Sequence, residues 1–191
     1  MPKVEPIINI ENIVASATVQ HRMELNAVVK AFPDAEYRPG RFPGLVFRLK
    51  KPRTSTLIFG SGKMICTGAR SEKEAERALR KLVKVLKEGG ILIVGKPETK
   101  IVNVVATANL GGSVDLSELY ESERGMRGRI VYEPEQFPGL IYRMEDPRAV
   151  FLIFSSGKLV CTGARREEDA HQAVIKLHQQ LEEKNLIHHE R

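Results

Sequence analysis

The sequence has few cysteines and no long apolar run, and both absences narrow the possible classes of protein. Two of its 191 residues are cysteines, Cys66 and Cys161, and neither has another Cys or a His nearby at the spacing of zinc ligands. We interpret both as small buried residues in a reducing compartment. No apolar stretch could span a membrane, and the first residues lack a basic region followed by an apolar core. These absences predict an intracellular protein.

Arrangements of catalytic side chains are also missing. The five histidines are scattered, and no nucleophile–base set or paired carboxylates can be recognised. The residues Gly60–Lys63 suggest a phosphate-binding loop, but that loop needs Ser or Thr after its lysine, and Met64 follows here. A hairpin turn explains the glycine at position 62 instead, because glycine tolerates positive φ.

Charge is unevenly distributed along the chain. The net charge of +6 and the pI of about 9.4 indicate an anionic partner. Residues 1–96 contain 18 Lys and Arg against 9 Asp and Glu, whereas residues 97–191 contain 12 against 15. The two halves are therefore expected to face different partners in some part of their surface.

A duplication organises the chain. Residues 57–70 recur at 152–165 with differences only at Gly60/Ser155, Met64/Leu159 and Ile65/Val160. A repeat of this length predicts two copies of one structural unit, which we place at residues 1–96 and 97–191. The two units are expected to share one continuous sheet.

Each copy contains the same order of predicted elements. A strand with period-two alternation (10–19 and 102–110) precedes a short helix (25–30 and 116–121), and several antiparallel strands follow. We expect Asp115 or Ser113 to cap the second short helix. A long helix begins at Ser71, with Glu74 completing a capping box, and ends at Gly89-Gly90. The order predicts an α+β fold.

The repeated strands carry apolar side chains on both faces. Ile58, Met64 and Cys66 alternate with Leu57, Phe59, Ile65 and Thr67, and we assign the first set to the face covered by the long helix. One helix per unit covers one face only, so the second face is expected to lie open as a binding surface. The alternatives are that the two units pack face to face, that the face forms a dimer or binds a protein, or that it holds an apolar ligand for a carrier or an enzyme.

Three motifs resemble the TATA-box-binding protein family, especially its short archaeal members. They are Phe-Pro-Gly-Leu-Ile-Tyr-Arg at 137–143, Ser-Gly-Lys-x-x-Cys-Thr-Gly-Ala-Arg at 61–70 and 156–165, and the Asn-containing strands around positions 12 and 103. The resemblance covers essentially the whole chain. It implies a two-repeat, pseudo-symmetric saddle whose curved ten-stranded antiparallel sheet lies on DNA, with four helices on the convex face. It also implies a non-enzymatic general transcription initiation factor without a cofactor or a metal.

The resemblance implies roles for residues of the open face. Asn and Thr side chains would donate to A·T base edges, apolar residues would exclude a guanine amine, phenylalanines would unstack base steps of the minor groove, and Arg and Lys would hold phosphates. The implied residues are Asn12, Val14, Phe42, Arg48, Leu57, Phe59, Lys63, Ile65, Thr67 and Arg70 in the first repeat, and Asn103, Val105, Phe137, Arg143, Leu152, Phe154, Lys158, Val160, Thr162 and Arg165 in the second.

The loop before Phe137 is acidic, whereas the loop before Phe42 is basic. By resemblance, Glu133, Glu135 and Gln136 would bind transcription factor B, which brings RNA polymerase indirectly; the alternative is a solvated acidic loop. The resemblance further implies a cytoplasmic, nucleoid-associated protein, with a homodimer possible off DNA. A near-symmetric protein leaves its orientation on the TATA box open.

Overall fold

The computed structural model of the chain describes residues 5–123 and 129–189. Its helices are α1 (Leu25–Ala31), α2 (Glu72–Glu88), α3 (Leu116–Ser122) and α4 (Glu167–Glu183). Its strands are β1 (Ile8–Thr18), β2 (Glu36–Tyr37), β3 (Leu45–Lys50), β4 (Arg53–Ile58), β5 (Lys63–Ala69), β6 (Thr99–Asn109), β7 (Ser113–Val114), β8 (Ile130–Val131), β9 (Leu140–Glu145), β10 (Arg148–Ile153), β11 (Lys158–Ala164) and β12 (Ile187–His188).

Ten of these strands form one antiparallel sheet in the order β2-β3-β4-β5-β1-β6-β11-β10-β9-β8, and β7 pairs with β12 separately. The predicted α+β fold with a ten-stranded sheet and four helices is therefore confirmed. The strand order reads the same from both ends when β1 to β5 are exchanged for their counterparts in the second repeat. The duplication seen in the sequence is thus a duplication of topology.

The chain folds as two compact units that do not follow the sequence repeats in every residue. The first unit is Asn12–Val102, and the second unit joins Asn103–Arg191 to Met1–Glu11. Strand β1 therefore divides between Glu11 and Asn12, and strand β6 divides between Val102 and Asn103. The division into repeats at residue 96 remains a prediction.

Period-two alternation gives the longer strands one core face. In β1 the odd positions Ile13, Ala15 and Ala17 are buried, while the even positions between them are half-buried. The apolar stripe of α2 packs against β5, and α4 packs in the same way on β10 and β11. Ile58, Met64 and Cys66 are fully buried, so their assignment to the helix-covered face is confirmed. Helix α2 is amphipathic because its apolar positions recur at helical spacing.

Side chains cap two of the helices as the sequence predicts. The Ser71 hydroxyl accepts a hydrogen bond from the Glu74 N–H (3.0 Å), and Asp115 accepts one from the Glu118 N–H (3.0 Å). Helix α2 ends at Glu88 with Gly89 as its C-cap, and Gly90 adopts φ +87°, a conformation that favours glycine. Gly62 adopts φ +97° in the turn between β4 and β5, so the interpretation of Gly60–Lys63 as a hairpin turn is confirmed.

None of the helices within residues 5–123 and 129–189 combines the length and the apolar character needed to cross a lipid bilayer.

The two long helices differ at their N-caps, and this difference predicts opposite effects of substitution. Ser71→Ala removes the capping bond and should lower the free energy of unfolding by about 1 kcal/mol. Arg166 has a similarly extended backbone (φ −138°, ψ 147°) before α4 but makes no capping bond. Arg166→Ser should therefore raise the free energy of unfolding by about 1 kcal/mol. Urea denaturation of both variants checks the pair, and a loss of stability in Arg166→Ser would contradict it.

Candidate nucleic-acid interface

The strand face opposite the helices carries two rows of side chains in the first unit. Strand register places Val46, Leu57, Ile65 and Ser16 side by side across four strands, and this is called the apolar row. Next to it lie Arg48, Ser55 and Thr67, called the polar row. All of these residues are half-buried or exposed. The face is therefore open in this unit, as the alternation predicted for Leu57, Ile65 and Thr67.

The second unit repeats both rows in the same register. Its apolar row is Ile141, Leu152, Val160 and Thr107, and its polar row is Arg143, Val150 and Thr162. These residues are likewise half-buried or exposed. Val14 and Val105 project on the same side of β1 and β6 and are half-buried. Each unit therefore offers one apolar row beside one polar row.

Asn12 completes the polar row of the first unit through a hydrogen-bonded group. Its Oδ1 accepts a hydrogen bond from the Gly68 N–H (2.7 Å), and its Nδ2 donates to the Thr67 hydroxyl (2.9 Å). The Thr67 hydroxyl in turn donates to Asn12 Oδ1 (3.2 Å). Since a backbone N–H must meet an oxygen, the bond from Gly68 fixes which way the Asn12 amide points. One amide hydrogen of Asn12 remains available to a partner on the open face.

The backbone at Gly68 makes this group possible. The register of β1 with β5 passes from Ile13–Ala69 to Ala15–Cys66, so β5 carries one extra residue in a β-bulge. Gly68 lies in this bulge with φ +103°, which side chains with a Cβ rarely adopt. Because the bulge leaves a backbone N–H outside the strand ladder, Asn12 can accept its hydrogen bond.

The second unit contains the same group with nearly the same distances. Asn103 Oδ1 accepts from the Gly163 N–H (2.7 Å), and Asn103 Nδ2 donates to the Thr162 hydroxyl (3.0 Å). Gly163 adopts φ +91° where the register of β11 with β6 shifts. The sequence predicted both Asn–Thr pairs as site residues, and the structure brings each pair into contact.

A phenylalanine pair lies at one end of strands β3 and β4 in the first unit, with Phe42 before β3 and Phe59 after β4. The rings of Phe42 and Phe59 meet edge to face with centroids 5.9 Å apart. Phe42 is 43% exposed although it is large and apolar. Gly44 leaves room for the pair, because a Cβ at this position would lie 2.7 Å from Phe42 Cε1 and 3.0 Å from Phe59 Cε1. An aromatic pair that neither core nor helix covers is typical of a binding surface.

The second unit holds an equivalent pair. The rings of Phe137 and Phe154 also lie edge to face with centroids 5.9 Å apart, and Phe137 is 38% exposed. A Cβ at Gly139 would lie 2.8 Å from Phe137 Cε1 and 3.1 Å from Phe154 Cε1. The family resemblance implied all four phenylalanines as site residues, and the structure brings them into contact as one pair in each unit.

The predicted phosphate-binding cations are exposed in both units: Arg48, Lys63, Arg70, Arg143, Lys158 and Arg165. Their surroundings differ at one pair of positions. Arg48 Nη1 lies 2.8 Å from Glu36 Oε1, and the adjacent Arg48 guanidinium holds the pKa of the Glu36 carboxyl below its usual range. In the second unit, Val131 occupies the strand position equivalent to Glu36 beside β9. The sequence pattern gives no indication of this acidic neighbour of Arg48.

The loops before the two phenylalanine pairs share a backbone turn but differ in charge. The Arg38 carbonyl accepts from the N–H groups of residues 41 and 42, and the Glu133 carbonyl accepts from those of residues 136 and 137. Glu133, Glu135 and Gln136 are exposed. Tyr120 and Tyr132 pack near this acidic loop with ring centroids 6.4 Å apart. The second unit therefore presents carboxylates beside aromatic surface.

The two cysteines lie on the opposite side of the strands from the rows. Both are free thiols with no exposed surface. Burial raises the pKa of Cys66 and raises the pKa of Cys161 to about 12. Both thiols therefore stay protonated near neutral pH, which agrees with their interpretation as core residues.

The open face also contains positions that were not predicted from the sequence: Ser16, Glu36, Val46 and Ser55 in the first unit, and Thr107, Ile141 and Val150 in the second. Ser55 alternates in step with Leu57 on β4, so the same period-two pattern could have identified it. Thr107 donates to the Glu11 carboxylate at 2.9 Å, a contact that no local pattern predicts. The polar ones among these positions add hydroxyl and carboxylate groups to a face predicted as mainly apolar.

Comparisons with known proteins agree with this architecture. The sequence matches the family described as "Transcription factor TFIID (or TATA-binding protein, TBP)" over residues 7–89 and again over residues 98–184. It is 50% identical over 182 residues to the TATA-box-binding protein of Sulfurisphaera tokodaii, covering 95% of this chain and 89% of that relative. The chain belongs to the TATA-box-binding protein family.

Another family member and a solved structure show the same relationship. The TATA-box-binding protein of Archaeoglobus fulgidus is 46% identical over 180 residues, which are 94% of this chain and 97% of that protein. The structure of Methanococcus jannaschii TBP matches with a TM-score of 0.80 and 47% identity over 93% of this chain and 99% of that one. Membership of the TATA-box-binding protein family confirms the resemblance, the fold and the prediction of a DNA-binding transcription initiation factor that is not an enzyme.

Proposed function

We propose that the open faces of both units bind A·T-rich promoter DNA in the minor groove. The observation that carries this proposal is the Asn–Thr–Gly group in each unit, Asn12 with Thr67 and Asn103 with Thr162. The glycine N–H and the threonine O–H both point to the amide oxygen, so each group offers an amide N–H donor toward a ligand. A·T pairs present only acceptors in the minor groove, namely adenine N3 and thymine O2. Donors and acceptors therefore match.

The apolar rows are expected to disfavour G·C pairs, whereas the Asn–Thr–Gly groups favour A·T pairs. A G·C pair adds the guanine amino group to the minor groove, and this donor would lie against Leu57 and Ile65 in one unit or Leu152 and Val160 in the other. A buried donor without an acceptor costs about 1–3 kcal/mol. Each such pair should therefore reduce affinity, while A·T pairs leave no group unpaired.

Replacing the donor amide with a carboxylate tests the proposal at one atom. Asn103→Asp keeps the acceptor for Gly163 but removes the N–H groups and adds a negative charge, so affinity for an A·T-rich duplex should fall about tenfold to a hundredfold. Asn26→Asp makes the same chemical change on exposed helix α1 and serves as the control. Gel-shift titration with A·T-rich and G·C-rich duplexes measures both, and equal affinity of the unchanged protein for the two duplexes would contradict the proposal.

We infer that the phenylalanine pairs enter base steps and kink the DNA. TATA-box-binding proteins are an established example of minor-groove binders that unstack base steps with apolar wedges, at a cost of a few kcal/mol per step. In this chain each pair is partly exposed, and a glycine leaves no side chain between the rings and the strand. The edge-to-face contact stiffens each pair, because neither ring can turn without meeting the other.

Removing one pair should reduce the bend. Phe137→Ala together with Phe154→Ala leaves the Asn–Thr groups in place, so binding to A·T-rich DNA should weaken and the kink on that side should be lost. Energy transfer between dyes on the two duplex ends measures the bend of the bound DNA at saturating protein. Tyr120→Ala removes an exposed aromatic ring on helix α3 and serves as the control. An unchanged bend in the double variant would remove these residues from the wedge role.

The exposed cations are proposed to hold phosphates at the margins of the face. Each phosphate neutralised by Lys or Arg lowers the logarithm of the binding constant by about 0.9 per unit of log salt. Arg48 differs from Arg143 because it must leave Glu36 to meet a phosphate. This arrangement gives the first unit the weaker phosphate contact at this position.

We further propose that the acidic loop of the second unit binds transcription factor B, which brings RNA polymerase to the promoter indirectly. Its support is the exposed set Glu133, Glu135 and Gln136 next to the ring pair of Tyr120 and Tyr132. Aromatic surface flanked by charge is typical of protein interfaces. Such a surface fits a partner with a basic and apolar contact region.

Charge reversal on this loop separates the two activities. Glu133→Arg with Glu135→Arg should abolish the ternary complex with transcription factor B and DNA, because like charges then face the basic partner. Binding to A·T-rich DNA alone should persist. Glu76→Arg with Glu88→Arg makes the same charge change on α2 and is the control. A ternary complex that survives the loop variant, or a parallel loss of DNA binding, would contradict the partner assignment.

A further inference from the structure

The segment that follows the long helix of each unit contacts the chain just before the short helix of the same unit, and a histidine takes part in each contact. In the second unit, β12 follows α4 and pairs with β7, which precedes α3. In the first unit, residues 91–94 follow α2 and contact His21, which lies before α1. Each segment thus ties the end of a long helix to the start of a short one.

His189 in the second unit lies between two hydrogen-bond acceptors. Its Nδ1 is 3.2 Å from the Gly111 carbonyl oxygen, and its Nε2 is 2.9 Å from Glu182 Oε1. A neutral imidazole has one N–H and one lone pair, so it can donate only one of these bonds. The imidazolium ion donates both, and one of them then joins opposite charges. The contacts of His189 are therefore complete only when the ring is protonated.

Other titratable groups face the same segment. His188 Nε2 lies 3.1 Å from Glu118 Oε2 on α3, and His178 Nε2 lies 3.6 Å from the Glu182 oxygen that His189 contacts. The remaining charged contact of the segment is the ion pair of Lys184 with Glu123. Imidazoles thus face carboxylates on both α3 and α4. Protons on the rings strengthen the attachment of the segment to these two helices.

His21 in the first unit has the opposite requirement. The Val94 N–H donates to His21 Nε2 (3.2 Å), so this nitrogen must carry a lone pair. His21 Nδ1 lies 2.9 Å from the Arg22 carbonyl oxygen and therefore carries the proton. The exposed Arg22 is the charged side chain next to this ring. Protonation would place an N–H on Nε2 against the N–H of Val94, so this contact is complete only when His21 is neutral.

The two segments occupy equivalent places in the duplicated units. The N–H of Ile91 donates to the carbonyl of Leu86 (3.0 Å), and the N–H of Leu186 donates to the carbonyl of Leu181 (2.9 Å). Counting from these bonds, the residues at the end of the segments, Val94 and His189, correspond to each other. The imidazole therefore lies on the segment itself in the second unit and opposite the segment in the first. We call residues 91–94 the first clasp and residues 186–189 the second clasp.

We propose that the two clasps respond to pH in opposite directions: protonation of His189 closes the second clasp, and protonation of His21 opens the first. Imidazole is the side chain that ordinarily changes charge between about pH 5 and 8. Opening the second clasp frees β12 from β7 and loosens α3, on which Tyr120 lies. Tyr120 belongs to the surface proposed for transcription factor B. That consequence rests on the proposed function, whereas the clasps themselves do not.

Amide hydrogen exchange measured by NMR at about pH 5 and about pH 8 tests the proposal, with protection factors corrected for intrinsic exchange. The amides of residues 113 and 187–189 report the second clasp, the Val94 amide reports the first, and the amides of β4 and β10 are the reference. From the lower to the higher pH, protection of the second clasp should fall about tenfold, because a charge-assisted bond is lost. Protection of the Val94 amide should rise about fivefold, because a neutral bond is gained.

Two variants assign the responses to single rings. His189→Gln cannot supply the charged ring that donates twice, so the second clasp should show low protection at both pH values while the Val94 amide behaves as before. His21→Leu removes the acceptor and should leave the Val94 amide weakly protected at both pH values, without a change in the second clasp. His171→Ala removes an imidazole on α4 that lies outside both clasps and is the control.

Several results would overturn the proposal. Protection of both clasps that changes in the same direction, or in neither, contradicts it, and so does a pH response that persists in His189→Gln. The reference amides of β4 and β10 show whether each variant is folded. The ring nitrogen shifts of the unchanged protein give a measurement without substitution: at about pH 8, His21 should carry its proton on Nδ1, and a proton on Nε2 would contradict the first clasp.

The consequence for the partner surface is measured separately. On the acidic side of the imidazole range, His189→Gln should form the ternary complex with transcription factor B and A·T-rich DNA severalfold more weakly than His171→Ala, with equal binding to DNA alone. Equal ternary complexes would overturn the consequence for α3. If the unchanged protein forms no ternary complex, the partner assignment under the proposed function fails, and hydrogen exchange still decides whether the clasps exist.

Discussion

The open face depends on one hydrogen bond from a bulged glycine to an asparagine. In each unit the Gly N–H holds the amide oxygen of Asn12 or Asn103 at 2.7 Å. This bond requires a backbone with positive φ, and only the β-bulge leaves the N–H outside the strand ladder. Once the oxygen is occupied, the amide nitrogen must face the neighbouring threonine and the surface. Backbone geometry therefore determines that this side chain offers a hydrogen-bond donor, and not an acceptor, to a ligand.

Glycine has a second, different role at the phenylalanine pairs. At Gly44 and Gly139 the constraint is space, because a Cβ would meet both rings. The rings can then pack edge to face and still stay partly exposed, which costs apolar hydration in the free protein. A ligand that covers the rings would remove this cost. The same amino acid thus supports a donor pattern at one place and an apolar contact at another.

Duplication gives the chain its architecture, and departures from duplication give each unit its own chemistry. The Asn–Thr–Gly groups and the phenylalanine pairs agree within 0.1 Å in the distances that define them. The residues around these groups differ between the units. Glu36 and Ser55 of the first unit correspond to Val131 and Val150 of the second, and the basic loop of the first corresponds to an acidic loop in the second. The conserved geometry keeps both faces competent for one kind of ligand, while the changed neighbours allow the two units to be distinguished.

The sequence by itself determined that the structural unit is repeated, which face of each strand its side chains occupy, and where the capped helices begin and end. Period-two alternation assigns Leu57 and Ile65 to one face and Ile58 and Met64 to the other because successive strand side chains must point apart. Local pattern cannot show contacts made across strands, so it did not reveal the bond from Gly68 to Asn12 or the pairing of Arg48 with Glu36. Those depend on strand register and on a bulge, which form only when distant segments pair. Tertiary structure alone decided which polar atoms of the open face remain free.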